Sequence, residues 1–506
     1  MVLLDGSPLS IDDLVAVARL GAAVEMTGEA RARMAPSRAV VEALESTNSV
    51  AYGVTTGFGA LADRAIAPAD RAALSRRVVE SHAAGMGQPL DAEVVRGMLL
   101  LRARTLCAGY SGVRPVLVEA IAALLNARLV PWVPEHGSLG ASGDLAPLAH
   151  ATACLLGQGW TWDGSTRRGA LEALAEHGLA PLTLGAREGL ALINGTDGMS
   201  SVLALAVADL TDLLAAADVI AAMTIEALLG TVRAFSERAV ALRPAPGQAA
   251  SAANLRAMLA GSAMVASHRD SHHAVQDPYS LRCTPQVHGA ARDVHGFAHD
   301  CVVRELASVV DNPMVLDGEM VSGGNFHGQA LAYAADMLAS ICADLAAISE
   351  RRLNRLLDPA RSRGLPAFLT QQPGLNSGLM IAQYTAAAMV VDLRVAATPI
   401  AVHSMSTSAG QEDHVSMGFT AAMRTRRSVA TLRRVLATEL VAGAQALELR
   451  APLRPGPATA AMLSSLRTRV PHLDDDRVIA GDLAEAEEWL LERGWRDALA
   501  GVAVTS

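Results

Sequence analysis

The strongest constraint on this chain is a set of Ala- and Leu-rich stretches whose apolar residues recur every three or four positions: 94–108, 116–127, 199–229, 329–357 and 380–397. That spacing is the signature of helices that bury one face. Val and Ile alternate with polar residues over no long run, so no large sheet is expected. Stretches of about thirty residues exceed the usual globular helix and predict an all-α chain built as a bundle of long helices. A chain of 506 residues is too long for one small core. Three consecutive parts are expected, 1–198, 199–452 and 453–506. The acidic run Asp474-Asp475-Asp476 in the last part reads as a turn before a helix.

Apolar residues make up 51% of the chain and charged residues 18%. Helix faces this poor in charge predict an oligomer that covers them. The formal charge of −9, with arginines scattered and no basic tail, argues against a nucleic-acid partner. The most apolar stretch, 201–230, carries Asp209, Asp212, Asp218 and Glu226, which would be costly in lipid, so it predicts a core helix and no membrane partner. Residues 1–12 hold two acids and no base, unlike a secretory signal. Five separated cysteines without a Cys-x-x-Cys fit reduced thiols, and a cytoplasmic location is expected.

Helix propensity does not explain the Gly-rich segments 52–59, 81–87, 137–143, 194–198, 276–286, 322–328 and 404–418. They hold much of the chain's His, Tyr, Asn and Gln, and loops on a rigid helical scaffold are where function concentrates. Within Gly137-Ser138-Leu139-Gly140-Ala141-Ser142-Gly143-Asp144, three small residues would let the Gly143 nitrogen approach the Ala141 carbonyl. Cyclisation with loss of water, then dehydration of Ser142, would give a five-membered ring bearing an electrophilic methylene. The tripeptide alone reads better as a helix start capped by Ser142 or Asp144, and only the whole segment reverses that.

Taken with the other loops, in order from about Tyr52 to beyond Met417, the segment resembles the histidine and aromatic amino-acid ammonia-lyase family. The resemblance implies a helical fold related to the fumarase and aspartase lyases. It implies a 4-methylideneimidazol-5-one group formed from Ala141, Ser142 and Gly143 without any external cofactor, carried by the 1–198 part. It also implies a homotetramer whose active sites draw loops from several subunits. Tyr52 would be the base for the β-proton and Tyr279 a support of the ring; each reads otherwise as a core tyrosine. Arg282 would clamp the substrate carboxylate. Asn194 and Gln276 would hydrogen-bond ring or substrate, and Phe326 would be the ring's aromatic neighbour.

Two positions bear on the substrate. Ser81-His82 resembles the members acting on L-histidine, where this His contacts the imidazole, whereas the phenylalanine and tyrosine enzymes place a bulky pair there. Gln411-Glu412-Asp413-His414 resembles the same members. A carboxylate at Glu412 suits an imidazole N–H and would be an expensive unpaired charge beside a phenyl ring. The implied reaction is L-histidine to trans-urocanate and ammonia, the first step of histidine degradation. A tyrosine or phenylalanine lyase, a 2,3-aminomutase and a helical protein without the ring stay open as alternatives. The sequence departs from the family pattern at Ser406–Gly410, read where Pro-Thr-Ser-Ala-Asn is usual, and at Val310, where Ser or Thr is common. His268, His272 and His273 are spaced like helical metal ligands, but no further ligands can be named and no metal is expected.

Overall fold

The structure, a computed structural model, describes residues 1–45, 52–270 and 275–505. It is predominantly helical. The helices that carry the site and the cores are α1 (Ala92–Cys107), α2 (Leu145–Leu155), α3 (Glu188–Ile193), α4 (Asp197–Ala227), α5 (Thr284–Ala307), α6 (Gln329–Leu357), α7 (Met380–Ala396) and α8 (Gly418–Glu448). All five stretches singled out by periodicity are helices, with ends within two residues of those expected. Among the described residues every sheet is a two-stranded pair. One pair is parallel (Val2–Leu4 with Val24–Met26). A hairpin pairs Met314 with Val321 and Leu316 with Glu319.

Two compact units emerge, and neither is consecutive in sequence. The first comprises Met1–Ala206, His299–Asp336 and Pro399–Met423; the second comprises Val207–Ala298, Met337–Thr398 and Arg424–Ser506. This partition differs from three consecutive parts, and a boundary after residue 198 falls inside α4. Composition along a chain does not register which segments return to the same neighbourhood.

In the first unit, every residue of α1 from Val94 to Cys107 is buried, including three arginines. Buried guanidinium groups need acceptors for their N–H bonds. Arg96 finds the Val17 carbonyl at 2.7 Å, Arg104 the Ala307 carbonyl at 2.8 Å, and Arg102 the carboxylate of Asp197.

The second unit is organised around two buried carboxylates. Glu439 takes both prongs of Arg352, at 2.6 and 2.9 Å, and hydroxyls from Ser349 and Thr224. Asp218 accepts from Ser251, Asn254 and Arg292 and pairs with His288 at 2.8 Å. The acidic run at 474–476 caps a turn: Asp476 accepts the backbone N–H groups of Ser377 and Gly378 just ahead of α7. Among the described residues one helix, α6, is long and apolar enough to cross a membrane, and 61% of its most apolar window is buried within the protein.

Candidate active site

The Ala141-Ser142-Gly143 segment enters α2 through a backbone that ordinary residues avoid. Ser142 and Gly143 have φ of +53° and +77°, in the left-handed region. Gly143 pairs with Gly195 in a parallel bridge, and the Asp144 N–H donates to the Gly195 carbonyl at 2.7 Å. A Cβ at residue 143 would strike that carbonyl, so glycine is required there. Ser142 itself is half-buried and accessible.

Asp144 joins the starts of two helices. Wholly buried, it accepts from Ser138 Oγ at 2.7 Å and from the Met199 N–H in the first turn of α4, also at 2.7 Å. Burial pushes its carboxyl up to about 7, against the two hydrogen bonds that favour the anion. Asp144 therefore ties the start of α2, which follows the tripeptide directly, to the first turn of α4.

Asn194 caps the end of α3, and its side-chain amide is oriented unambiguously. Its Nδ2 donates to the Asn312 carbonyl at 2.7 Å, which leaves Oδ1 to accept the Ser142 hydroxyl at 2.6 Å. Buried Arg102 holds the Asn194 carbonyl at 3.1 Å while paired to Asp197.

Two clefts meet at Ser142. One, about 440 Å³, is lined by Tyr52, Ala141, Phe326, His327, Gln411 and Glu412 among others. The second, about 620 Å³, shares Tyr52, Ser142 and Glu412 and adds His82, Leu190 and Arg77. The Tyr52 ring stands edge-on to Phe58, and its oxygen accepts the Gly59 N–H at 3.1 Å.

His82 differs from the expectation in its setting. The segment 81–87 begins inside a helix, Arg71–His82, whose last turn carries Ser81 and His82. Helical continuation fixes the ring direction, and Ser81 Oγ meets its Nδ1 at 3.0 Å. Burial lowers the pKa of His82, opposed by the Glu412 carboxylate. Glu412 is held in a loop bridge with Thr407, whose hydroxyl donates to Oε2 at 2.9 Å, so it does not start a helix.

Eight of the expected residues (Tyr52, His82, Ala141, Ser142, Gly143, Asn194, Phe326 and Glu412) thus fall in the first unit around one loop cluster, and Gln411 joins them at its exposed rim. Gln276, Tyr279 and Arg282 belong to the second unit. There Tyr279 is 71% exposed, the Arg282 guanidinium lies 4.7 Å from its ring centroid, and Arg282 Nε donates to the Asp277 carbonyl at 2.8 Å. Asp277 anchors that loop through the Thr231 N–H and Arg363. His272 and His273 lie outside the described residues; His268 bonds the Met264 carbonyl through Nδ1 at 2.8 Å.

Sequence reasoning passed over Asp144 as more than a cap, and over Arg187, Asp311 and Asn312. The signal for the last two was present in Asp311-Asn312-Pro313, a turn-forming run of polar residues; Arg187 carried none.

The profile of the family described as aromatic amino acid lyase matches residues 9–468. The chain is 50% identical over 493 residues to the histidine ammonia-lyase of Streptomyces coelicolor, covering 97% of this chain and 96% of that protein. Among solved structures, histidine ammonia-lyase from Trypanosoma cruzi superposes with a TM-score of 0.91 at 39% identity, covering 99% and 95% of the two chains. Tyrosine aminomutase from Streptomyces globisporus gives 0.94 at 34% identity, covering 100% and 99%. Backbone shape is therefore shared between ammonia-lyases and aminomutases, and the side chains around Ser142 have to discriminate.

Proposed function

The chain belongs to the aromatic amino acid lyase family, and from that premise we infer that it removes ammonia from L-histidine without oxidation, giving trans-urocanate. The observation that carries the substrate assignment is the meeting of His82 and Glu412 on the cleft that also holds Ser142 and Tyr52. A carboxylate and a largely neutral imidazole offer an acceptor and a second polar partner to the two ring nitrogens of histidine. A phenyl or phenol ring would leave Glu412 facing an apolar edge.

The residues present fit a 4-methylideneimidazol-5-one formed from Ala141, Ser142 and Gly143. Positive φ at two successive residues and the absence of room for a Cβ at 143 favour backbone closure. The chemistry such a group supplies is an electrophilic carbon for the substrate amine. The chain's own residues do the rest. Tyr52 is the base for the β-proton, its oxygen fixed by the Gly59 N–H. The start of α2, which follows the tripeptide directly, would favour negative charge developing beside Ser142. Asn194 and Phe326 contact ring or substrate, and Gln411 borders the cleft beside Glu412.

Arg282, Tyr279 and Gln276 complete the site from a neighbouring subunit of a homotetramer, Arg282 as the carboxylate clamp. The many large apolar side chains exposed on α5, α6 and α7, Phe297, Tyr333, Ile381 and Tyr384 among them, support such an assembly. Five free cysteines, four of them buried, support a reducing, cytoplasmic setting.

Incubation of the purified chain with L-histidine, with the product identified by chromatography, tests the assignment. Urocanate from the unsubstituted chain and none from Ser142→Ala is the expected result. A cinnamate or a β-amino acid from tyrosine or phenylalanine, with no urocanate, overturns it.

A further inference from the structure

Behind Asn194 lies a second layer of buried charge that the reaction scheme above does not use. Arg187 is the residue ahead of α3 and holds φ of +73°, a conformation that side-chain-bearing residues rarely adopt without a reason. Its guanidinium is fully buried, as is its partner Asp311. Nη2 donates to Asp311 Oδ1 at 3.0 Å and to the Pro313 carbonyl. Arg187 Nε and Nη1 and Asp311 Oδ2 find no hydrogen-bond partner among the described residues. The polar contacts of this cation are thus spent on the 311–313 turn.

That turn leads directly to the serine. Asp311 Oδ1 also accepts the Asn312 N–H at 2.7 Å, and Asn312 Oδ1 accepts the Gly323 N–H at 2.8 Å, so Asn312 is held at both ends. Its carbonyl is the acceptor that decides which way the Asn194 amide faces. With Nδ2 committed there, Oδ1 faces Ser142. Were the Asn312 carbonyl free to turn, the amide could rotate by half a turn and present N–H groups to Ser142 instead of an acceptor.

We propose that Arg187 is a positioning residue for formation of the electrophilic group, and through it for the deamination: by way of Asp311 and the Asn312 carbonyl it fixes the acceptor face of Asn194 toward the Ser142 hydroxyl, the group that leaves as water when the ring forms. Arg187 touches neither cleft and acts only through Asn194. The inference rests on the deamination reading above.

The test pairs Arg187→Met with Asp311→Asn, so that no uncompensated charge stays buried. The readouts are kcat and KM for L-histidine, the melting temperature, and the mass of the 141–143 peptide, which reports ring formation without an assay. The expected result is a folded protein whose KM changes less than about threefold while kcat falls on the order of ten- to a hundredfold, the effect of misplacing a group near the chemistry. The fraction of 141–143 peptide lacking two waters falls with it. Arg187→Lys, which keeps one donor for Asp311 and Pro313, recovers most of the loss.

Adding Asn194→Ala to the paired variant separates positioning from general damage. If Arg187 works through Asn194, the combined loss in kcat equals that of Asn194→Ala alone. Fully additive losses, or an unchanged kcat in the paired variant, overturn the proposal. Absence of urocanate from the unsubstituted chain would instead overturn the underlying reaction. If the paired variant does not fold, Arg187→Gln, too short to hold both Asp311 and the Pro313 carbonyl, against Asn194→Ala is the same cycle with a smaller perturbation, read by the same criteria.

Discussion

The carboxylate of Asp144 accepts the N–H of Met199 at 2.7 Å, so that one buried side chain at the mouth of α2 closes the first turn of α4. Two opposing effects act on it. Burial disfavours its charge, while hydrogen bonds from Met199 and Ser138 favour it, and burial wins: the carboxyl titrates near 7.

A carboxyl whose pKa is higher in the folded than in the unfolded chain binds more protons when folded. Its contribution to stability is therefore complete below about pH 4 and is lost as pH rises through about 7. Asp144→Asn removes that dependence. Between pH 5 and pH 8 the Asn variant should gain on the unsubstituted protein by a few kcal/mol at most. Melting temperatures of the two proteins across that range check it; parallel curves would mean that Asp144 does not titrate there.

A second prediction concerns His82 and Glu412. Burial lowers the pKa of His82 and the Glu412 carboxylate opposes it, so Glu412→Gln should move His82 titration to still lower pH. In the same variant kcat/KM for L-histidine should fall roughly 10- to 100-fold, the worth of one hydrogen bond to a charged group. Ring-proton NMR of His82 and steady-state kinetics provide the two measurements. An unmoved His82 titration would mean that Glu412 does not act on it.

The fold was legible wherever amphipathic periodicity was strong, as in the stretches that became α1, α4, α6 and α7. It was not legible in α8, where Arg424, Arg426, Arg427, Arg433 and Arg434 interrupt the apolar pattern, or in α5, which carries two glycines and three histidines. Tertiary packing overrides propensity in both. The loops that gather around Ser142 as the candidate site were legible because Gly143 needs a backbone that only glycine tolerates, and that need is written in the residue type. Arg187 escaped notice because an isolated arginine looks the same in sequence whether it is solvated or buried against Asp311. The helical placement of Ser81 and His82 escaped because a following Ala-Ala-Gly run reads as loop, although the helix ends only at His82.

In the second unit the buried pair of Arg352 and Glu439 invites a stability test. Glu439→Gln leaves a guanidinium buried without its counter-charge, which costs about 3–5 kcal/mol. The melting temperature should drop by on the order of 10 °C. Replacing both residues by Met and Leu should cost less than the single change, because no charge is then stranded. Circular-dichroism melts of the three proteins measure this; a double variant less stable than the single one would show that the pair stabilises beyond mutual compensation.

Tyr52→Phe isolates one atom of the proposed chemistry. The phenylalanine ring keeps the edge-on contact with Phe58, whose centroid lies 6.3 Å away, and loses only the oxygen that accepts the Gly59 N–H. One hydrogen bond is worth about 1 kcal/mol net, so the melting temperature should shift by no more than a few degrees. The 141–143 peptide should still lose two waters, since Tyr52 is not part of it. Loss of a positioned base costs typically 10²–10⁴-fold, so kcat for L-histidine should fall by that much while urocanate remains the product. A kcat within tenfold of the unsubstituted protein would remove Tyr52 as the β-proton base and leave another group on the Ser142 cleft, with His82 the nearest in chemistry, to take that proton.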